Sequence, residues 1–269
     1  MLRILSDLHV YDAQTQIRDL RQLEPLLIGV KTLVLNGDTC EMRPSVAMPD
    51  VARLQAFFRA RVPEVIFVTG NHDPDISDRH ELLLADGRVW VTHGDVFFDD
   101  LTPWSRNQPE LQRTVAGLRA AEPGADYRQL EVRFRFAREA TRIVGSSIDP
   151  EDATFRAQLV RWGHTFFPPR QTIAMLRAWH DLPTLAARLA MAQRPAAQVV
   201  VTGHVHFPRV WIRTPGPAVI NTGSFFSPLG GHLVDVTDGR VVVRRIRRSQ
   251  GRFEPGRLIA EIPLTARQA

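Results

Sequence analysis

The feature that most constrains the fold of this chain is a repeated pattern, in which a short apolar run ends in a cluster of glycine and polar residues. The apolar run at 65–68 is followed, after one threonine, by Gly70, Asn71, His72 and Asp73. A turn alone explains Gly70 and Asn71, because both tolerate unusual backbone angles. It does not explain His72 and Asp73, so this cluster is expected to do more than reverse the chain.

Four further apolar runs, at 2–5, 32–35, 89–92 and 198–202, end in the same way. Each run is short and rich in valine, leucine or isoleucine, which is typical of a β-strand. Open α/β sheets gather their ligand-binding groups at the carboxyl ends of the strands, so the clusters are expected to lie together. Their polar members are Asp7 and His9, Gly37 and Asp38, His93 and Asp95, and His204 and His206.

Strand-like and helix-like segments alternate along the chain, which predicts a layered α/β fold. The segment 101–195 differs, because it consists of long stretches with helical spacing, such as 130–144 and 172–191. We therefore predict one discontinuous core, residues 1–100 and 196–269, with residues 101–195 as a helical insertion. Within the core the sequence predicts helices at about 14–28 and 50–61, a hairpin at Asp86-Gly87, and further strands at 82–84, 210–213, 218–221, 233–236 and 240–246.

The residue types and spacing of the clusters point to metal binding. In the sequences DLH at 7–9 and HVH at 204–206, the first and third side chains project to the same side of an extended segment, so each pair can bind one ion. Carboxylate, imidazole and amide ligands suit Mn²⁺, Fe or Zn²⁺ better than Ca²⁺, which prefers oxygen alone. The candidate ligands are too many for one tetrahedral ion, and they fit two ions that share a carboxylate.

The motifs DLH, GD, GNHD, HGD and GHVH, in that order over residues 5–226, resemble the calcineurin-like metallophosphoesterase family. Any one of these strings is weak, whereas all five in order at the ends of strands are specific. The resemblance implies a metallophosphoesterase-type β-sandwich flanked by helices, with a helical cap inserted between the fourth and fifth motifs. It also implies two divalent ions, Mn²⁺ foremost and Fe or Zn²⁺ as alternatives.

The resemblance implies a role for each cluster residue by position. His72 would lie beside the substrate phosphate, where its protonated form would stabilise the transition state and donate to the leaving oxygen. Asp73 would orient its neighbours, with Asp95 and Asn221 in the same supporting position. A hydroxide that bridges the ions would attack the phosphorus of a mono- or diester in line. One ion would be held by Asp7, His9, Asp38 and His206, and the other by Asp38, Asn71, His93 and His204.

The insertion must determine the substrate, because the metal core is generic. It carries nine of the chain's 21 aromatic residues, and residues 101–198 hold 14 arginines against nine acidic residues, whereas the remainder has 20 of each charge. These features suit a phosphorylated small-molecule or lipid-linked substrate, although the aromatic residues also fit the insertion's own core. A cap in this place is similar to that of the UDP-2,3-diacylglucosamine pyrophosphohydrolases, but the arginine that usually follows GN is His72 here.

Two other functions stay open at this point. A nuclease would use the basic middle segment to hold a nucleic-acid backbone, but no recognition motif accompanies that segment. A non-catalytic scaffold would have lost ligands, and none is lost here. Glu41 and Asp95 fit a supporting position at the site, a solvent-exposed position or a salt bridge. The histidines outside the motifs are expected to be structural, and they are His80, His164, His180 and His232.

A cytoplasmic location is expected, because the chain has a single cysteine, Cys40, and begins without a long apolar secretory segment. Cys40 is expected to pack as a small apolar residue. No stretch of about 18 apolar residues occurs, so no transmembrane helix is predicted. Contact with a membrane surface and the oligomeric state stay open.

Overall fold

The structure is a computed structural model, and it describes residues 1–42, 50–105, 107–146, 169–237 and 239–265. Within these residues the chain forms two β-sheets and five α-helices, which confirms the layered α/β class. The strands are β1 (Leu2–Leu5), β2 (Thr32–Asn36), β3 (Glu64–Val68), β4 (Glu81–Leu84), β5 (Val89–Thr92), β6 (Val199–Thr202), β7 (Arg209–Trp211), β8 (Ala218–Asn221), β9 (His232–Thr237), β10 (Arg240–Ser249) and β11 (Arg252–Pro263). The helices are α1 (Glu24–Leu27), α2 (Val51–Arg59), α3 (Gln108–Ala121), α4 (Leu130–Ser146) and α5 (Pro169–Gln193), with 3₁₀ turns at Leu20–Leu23 and Asp95–Phe97.

The first sheet has six strands in the order β11-β10-β9-β1-β2-β3. Its strands β1, β2 and β3 run parallel, with Leu2 opposite Thr32 and Thr32 opposite Glu64. Because aligned parallel strands end at the same edge of a sheet, the loops that follow these three strands meet there. The polar clusters of the first, second and third motifs are on those loops.

The second sheet has five strands in the order β4-β5-β6-β8-β7, and β5, β6 and β8 run parallel. The fourth and fifth motifs therefore follow neighbouring strands. Valine and isoleucine side chains fill the space between the two sheets in one buried cluster, which includes Ile4, Val34, Val91, Val201 and Ile220. This sandwich fixes the strand ends of one sheet relative to those of the other.

Helices from the middle of the chain cover the outer face of the second sheet. Trp90, Val200 and Val219 of the sheet pack in one buried cluster with Leu111 of α3 and Leu182 of α5. None of the described helices combines the length and the apolar character that a bilayer crossing requires. The described part of the middle segment therefore shares a core with the sheet.

The structure corrects the helix predicted at about 14–28, which is wrong over its first residues. Only 20–27 is helical, as a 3₁₀ turn followed by α1. Asp19 starts this turn, because its side chain accepts a hydrogen bond from the Arg21 N–H. Upstream, Thr15 Oγ1 donates to the Leu8 carbonyl at 2.8 Å, which holds the preceding residues as a loop beside the first motif.

Strand β11 is absent from the sequence prediction, because Pro255 and Gly256 interrupt its apolar pattern. It lies at the edge of the first sheet and pairs with β10 through two register shifts. Proline is tolerated in an edge strand, where its missing N–H has no ladder partner. The predicted hairpin at Asp86-Gly87 is confirmed by the antiparallel pairing of β4 with β5.

Candidate metal centre

The polar clusters of the five motifs converge at one end of the sandwich. Six of the motif residues each place one donor atom within 4.8 Å of the other donors of the same group, and these donors form two groups. The first group is Asp7, His9, Asp38 and His206, and the second is Asp38, His93 and His204. The two groups share Asp38, and all of these side chains are buried except His206, which is 24% exposed.

These donors are held by an unusual backbone. Five of the residues have φ between +48° and +70°, in the left-handed region that favours glycine: Asp7, His9, Asp38, His204 and His206. Each such residue costs on the order of 1–3 kcal/mol, so the surrounding structure must hold it in place. Hydrogen bonds between the loops do this, because His9 N–H donates to the Asp38 carbonyl at 2.9 Å and His204 N–H donates to Asp7 Oδ1 at 3.0 Å.

Two motif glycines are required by close approach of the loops. A Cβ at Gly70 would collide with the Asp38 carboxylate, and a Cβ at Gly203 would collide with the Asp7 carboxylate. The glycine of GNHD and the glycine of GHVH therefore let neighbouring loops come close enough for their carboxylates to reach the common site.

Hydrogen bonds assign the tautomers of two histidines in the second group. His204 Nε2 lies 2.8 Å from the Leu101 carbonyl, and His93 Nδ1 lies 3.2 Å from the Asn36 carbonyl. A carbonyl only accepts, so each of these nitrogens carries the proton and donates it. The other ring nitrogens, His204 Nδ1 and His93 Nε2, are therefore left with lone pairs, and they are 3.3 Å apart.

Two oxygen acceptors complete this second group. Asn71 Oδ1 lies 3.1 Å and Asp38 Oδ2 lies 3.3 Å from His93 Nε2. Nitrogen lone pairs and oxygen acceptors thus face one another at a buried point. A divalent cation fits this donor set, because it satisfies all of them at once and is a usual partner of imidazole and carboxylate ligands.

The first group has the same character. His9 Nε2 lies 3.0 Å from His206 Nε2, and His206 Nε2 lies 3.2 Å from Asp7 Oδ1. Asp38 Oδ2 is 3.8 Å from His9 Nε2. Burial lowers the pKa of His9 well below its ordinary value, which keeps this imidazole neutral with a lone pair for a cation. This donor set also fits a divalent cation.

The shared carboxylate and its nearest histidine have opposite pKa shifts. Burial raises the pKa of Asp38, but the imidazoles of His93 and His72 hold it well below its ordinary value. Burial lowers the pKa of His93, but the charge of Asp38 raises it well above its ordinary value. A proton on His93 is therefore the alternative to a cation in the second group.

Asp73 lies behind the site and contacts backbone rather than the donor groups. Its carboxylate accepts hydrogen bonds from the N–H groups of Asp38, Thr39 and Gly70 at 2.9, 2.7 and 2.9 Å. Burial and the nearby charge of Asp38 raise the pKa of Asp73 to about 8. Through these bonds Asp73 connects the loop of the second motif to the loop of the third.

His72 lies at the edge of the site, paired with a buried carboxylate. Its Nδ1 is 2.7 Å from Glu41 Oε2, and its backbone N–H donates to Asp38 Oδ1 at 2.8 Å. Its Nε2 lies 3.9 Å from Asp38 Oδ2. Glu41 is only 8% exposed, so the solvent-exposed interpretation is wrong, whereas its pairing with His72 agrees with the salt-bridge interpretation.

The remaining predicted residues lie around the donors rather than among them. Asn221 spans a turn, donating to the Gly203 carbonyl and accepting from the Gly223 N–H, both at 2.8 Å. Asp95 begins the 3₁₀ turn after the fourth motif, and burial raises its pKa. Among the described residues, the Asp95 carboxylate is not a member of either donor group.

Sequence reasoning misses Ser6 and Phe226, which contact the donors. Ser6 Oγ hydrogen-bonds both the Asp7 carboxylate and the Thr222 hydroxyl. Phe226 stacks on the His9 ring at 4.6 Å and meets the His206 ring edge-on at 5.1 Å. Position beside a motif was the only available signal for Ser6, and the sequence carries none for Phe226.

The other histidines and the cysteine lie apart from the donors. His232 and Cys40 are buried, His180 is exposed beside Asp181, and His164 lies outside the described residues. His80 Nδ1 contacts Thr69 Oγ1 at 2.7 Å. Burial raises the pKa of the Cys40 thiol, which packs in the apolar core of the first sheet.

A cavity of about 230 Å³ opens beside the donor groups. Asp38, His72 and His204 line one side of it, and residues from the loop after β5, α3 and α4 line the other. Among the described residues, this cavity leaves room for a substrate next to the donors.

Comparisons with known proteins agree with these observations. The family model described as calcineurin-like phosphoesterase matches residues 2–208 of this chain. No curated protein sequence matches it. Among solved structures, it is similar to a Vps29 single mutant from Entamoeba histolytica, at 14% identity and TM-score 0.43 over 98% of this chain and 99% of that one.

Two further solved structures are similar to this chain. One is a conserved protein from Streptococcus pneumoniae, described as a predicted phosphoesterase, at 16% identity and TM-score 0.40 over 97% of this chain and 96% of that one. The other is a dimetal phosphatase from Danio rerio, at 11% identity and TM-score 0.42 over 98% of each chain. None of these likenesses extends beyond the fold.

Proposed function

This chain belongs to the calcineurin-like phosphoesterase family, and from that premise we propose that it hydrolyses a phosphate mono- or diester with two divalent metal ions. The observation that carries the proposal is the pair of donor groups that share Asp38. A scaffold has no need for such buried, strained and converging donors. Their retention therefore favours an enzyme.

The residues that would hold the ions are those of the two groups. Mn²⁺ is the proposed metal, with Fe or Zn²⁺ as alternatives, because mixed imidazole, carboxylate and amide ligands accept all three. Ions bound there would lower the pKa of a coordinated water and neutralise charge on the phosphoryl oxygens. The proposed ligands are Asp7, His9, Asp38 and His206 for one ion, and Asp38, Asn71, His93 and His204 for the other.

His72 is the proposed proton donor to the leaving oxygen. Glu41 accepts the Nδ1–H at 2.7 Å, which fixes the plane of the ring. Nε2 is then the atom that can hold the proton to be delivered, and His72 lines the cavity where the leaving group would lie. Asp73 holds the loops of Asp38 and Gly70 together, so that the donors need little rearrangement when substrate binds.

The nuclease alternative has less support. It requires free basic charge in the middle segment, but many of its described arginines contact carboxylates: Arg128, Arg133, Arg135, Arg138, Arg142 and Arg194. The pyrophosphohydrolase alternative rests on the cap alone, because His72 replaces the arginine usual after GN. We retain residues 101–195 as a proposed cap on a core of residues 1–100 and 196–269, and a cytoplasmic location as a proposal.

The proposal is tested with a phosphate panel in the presence of Mn²⁺. The panel contains para-nitrophenyl phosphate, bis(para-nitrophenyl) phosphate, and single- and double-stranded DNA and RNA at low salt. We expect hydrolysis of an aryl ester, and a loss of at least about 100-fold in kcat/KM for Asp38→Asn. The matched control is Asp86→Asn, a hairpin carboxylate that is 96% exposed, which should keep full activity.

Three outcomes would overturn the proposal. Metal-loaded wild-type chain that hydrolyses nothing on the panel would remove the enzyme, and cleavage of nucleic acid alone would replace it with the nuclease. Full activity of the Asp38→Asn variant would show that the donor groups are not the site.

A further inference from the structure

The cavity beside the donor groups has two chemically different sides. One side carries the proposed metal ligands and His72. The opposite side, here called the apolar wall, is formed by the loop after β5, α3 and α4, and its main residues are Leu101, Trp104, Leu111, Thr141, Val144 and Gly145. A phosphate bound at the donors would therefore extend its ester group toward this wall.

The apolar wall is rigid because its side chains belong to the protein core. Leu101, Leu111 and Val144 are buried and pack in one cluster with Trp90 and other residues of the second sheet. Each presents only a small part of its surface to the cavity. A group that contacts this wall replaces water at a fixed apolar surface, and such replacement stabilises binding.

Trp104 joins the wall to the metal centre. Its ring lies 4.9 Å from the ring of His204, a proposed metal ligand, and 6.0 Å from the ring of Phe98. Leu101 also contributes to both sides, since its carbonyl accepts from His204 while its side chain lines the cavity. Two residues of the apolar wall, Leu101 and Trp104, therefore lie directly beside His204, a proposed metal ligand.

The described residues on this side of the cavity carry no charged side chain. Among the described lining residues outside the motifs, the polar side chains are neutral, and they are Thr102, Ser105, Asn107 and Thr141. A carboxylate, a second phosphate or an ammonium group placed here would lose water without gaining an opposite charge from the described lining residues. A neutral group with apolar surface and one or two hydroxyl-type contacts fits better.

The size of the cavity further restricts the class of substrate. The cavity volume of about 230 Å³ is below the ~300–1,000 Å³ of pockets that hold drug-sized ligands. A benzyl, phenyl or short branched alkyl group suits it, whereas a polymer or a protein side chain on its backbone requires more room.

We propose that the apolar wall is the leaving-group site, and that the substrate is a phosphate ester of a compact, neutral, aryl or alkyl alcohol. This inference rests on the proposed function, and it names the substrate class of the same site. Trp104 is the residue that sets the preference, because it covers the start of the wall beside His204.

The test compares benzyl phosphate with glycerol 1-phosphate, whose leaving alcohols are both primary but differ in apolar surface. We expect wild-type kcat/KM to favour benzyl phosphate by at least about tenfold, in line with the selectivity of apolar pockets. Trp104→Ala should reduce this ratio by about tenfold. The matched control is Trp211→Ala, another half-buried tryptophan that does not line the cavity, and its ratio should equal that of the wild type.

Binding of non-hydrolysable analogues separates this inference from the proposed function. Calorimetry with benzylphosphonate and methylphosphonate should give tighter binding of the benzyl compound, and Trp104→Ala should remove the difference. Selective binding without hydrolysis of any ester would support the wall and overturn the proposed function. Hydrolysis with a ratio of kcat/KM values near one, or a ratio that Trp104→Ala leaves unchanged, would overturn the proposed leaving-group site. The proposed phosphoesterase function would still stand.

Discussion

The two sides of the cavity are built in different ways. The donor side consists of short loops at strand ends, with five residues at positive φ held by hydrogen bonds between loops. The apolar wall consists largely of helices that pack by ordinary burial in a shared core. The donor side carries the proposed metal ligands themselves, whereas the apolar wall contacts the substrate and shares its side chains with the protein core. We therefore expect changes on the donor side to remove catalysis, and changes on the apolar wall to alter stability or substrate choice.

The largest effect is expected for Gly203→Ala on the donor side. The added Cβ would collide with the Asp7 carboxylate and displace a proposed ligand. A displacement of about 1 Å at a reacting centre costs about 100-fold, so kcat should fall at least this much. The control is Gly117→Ala, a position in α3 with nothing within 4 Å of a Cβ, which should keep wild-type kcat. Equal kcat values for the two variants would contradict the expectation that catalysis depends on the donor side.

On the apolar wall, Leu111→Ala should act on stability instead. Leu111 is 7% exposed in the core that α3 shares with the second sheet, and its truncation leaves a cavity. The free energy of unfolding should fall by about 2–5 kcal/mol, measured by urea titration. The kcat for methyl phosphate should stay within about threefold of the wild type, because transition-state interactions of the donor side are intact. A large loss of kcat in a folded Leu111→Ala variant would show that the apolar wall takes part in catalysis.

Glu41→Gln sharpens the comparison at the edge of the donor side. The amide keeps the size of the carboxylate but weakens its hold on His72 Nδ1, so kcat should fall about 10–100-fold with little change in KM. The kcat of the His72→Asn variant should fall at least as far. Because the two residues act as one unit, the double variant should be no worse than His72→Asn alone. Independent, multiplying losses would contradict the pairing.

The smallest effect concerns His232, which lies in β9 outside both sides of the cavity. Burial, together with the charges of Arg245 and Arg257, lowers its pKa from 6.5 to about 4. The folded chain therefore resists protonation at a pH where the unfolded chain already binds the proton, so stability is full above about pH 6.5 and falls as the pH drops toward 4.

The free energy of unfolding is measured at pH 7 and pH 5 for the wild type and for His232→Gln. The wild type should lose about 1–2 kcal/mol more than the variant over this interval. Phosphoesterase activity at pH 7 should be the same for both. An identical loss for both chains would show that His232 does not set acid stability.

The donor side was predictable because its residues are contiguous with strand ends. The chain order of short motifs identified Asp38 and its partners, since parallel strands must end at a common edge. Asn71, His93 and His204 were predicted in the same way, and the structure brings their side chains together near Asp38, while their role as ligands stays a proposal. Residues that support the donors without belonging to a motif, such as Phe226, left no signal.

The apolar wall was not predictable in the same way. Trp104, Leu111 and Val144 come from separate segments, and helical spacing shows which positions are apolar without showing which cavity they face. Charge was also hard to interpret from the sequence. The arginine excess of the middle segment suggested a basic surface, but Arg135 and Arg142 are paired with Glu122 and Asp75. Pairing depends on tertiary contacts that a count along the chain does not contain.

Metal stoichiometry tests the central claim most directly, because both donor groups depend on one carboxylate. Isothermal titration of the wild-type chain with Mn²⁺, checked by elemental analysis after gel filtration, should give two ions per chain. The Asp38→Ala variant, confirmed as folded by circular dichroism, should retain less than one. A single ion in the wild type, or two ions in the variant, would contradict a centre in which Asp38 is shared between two cations.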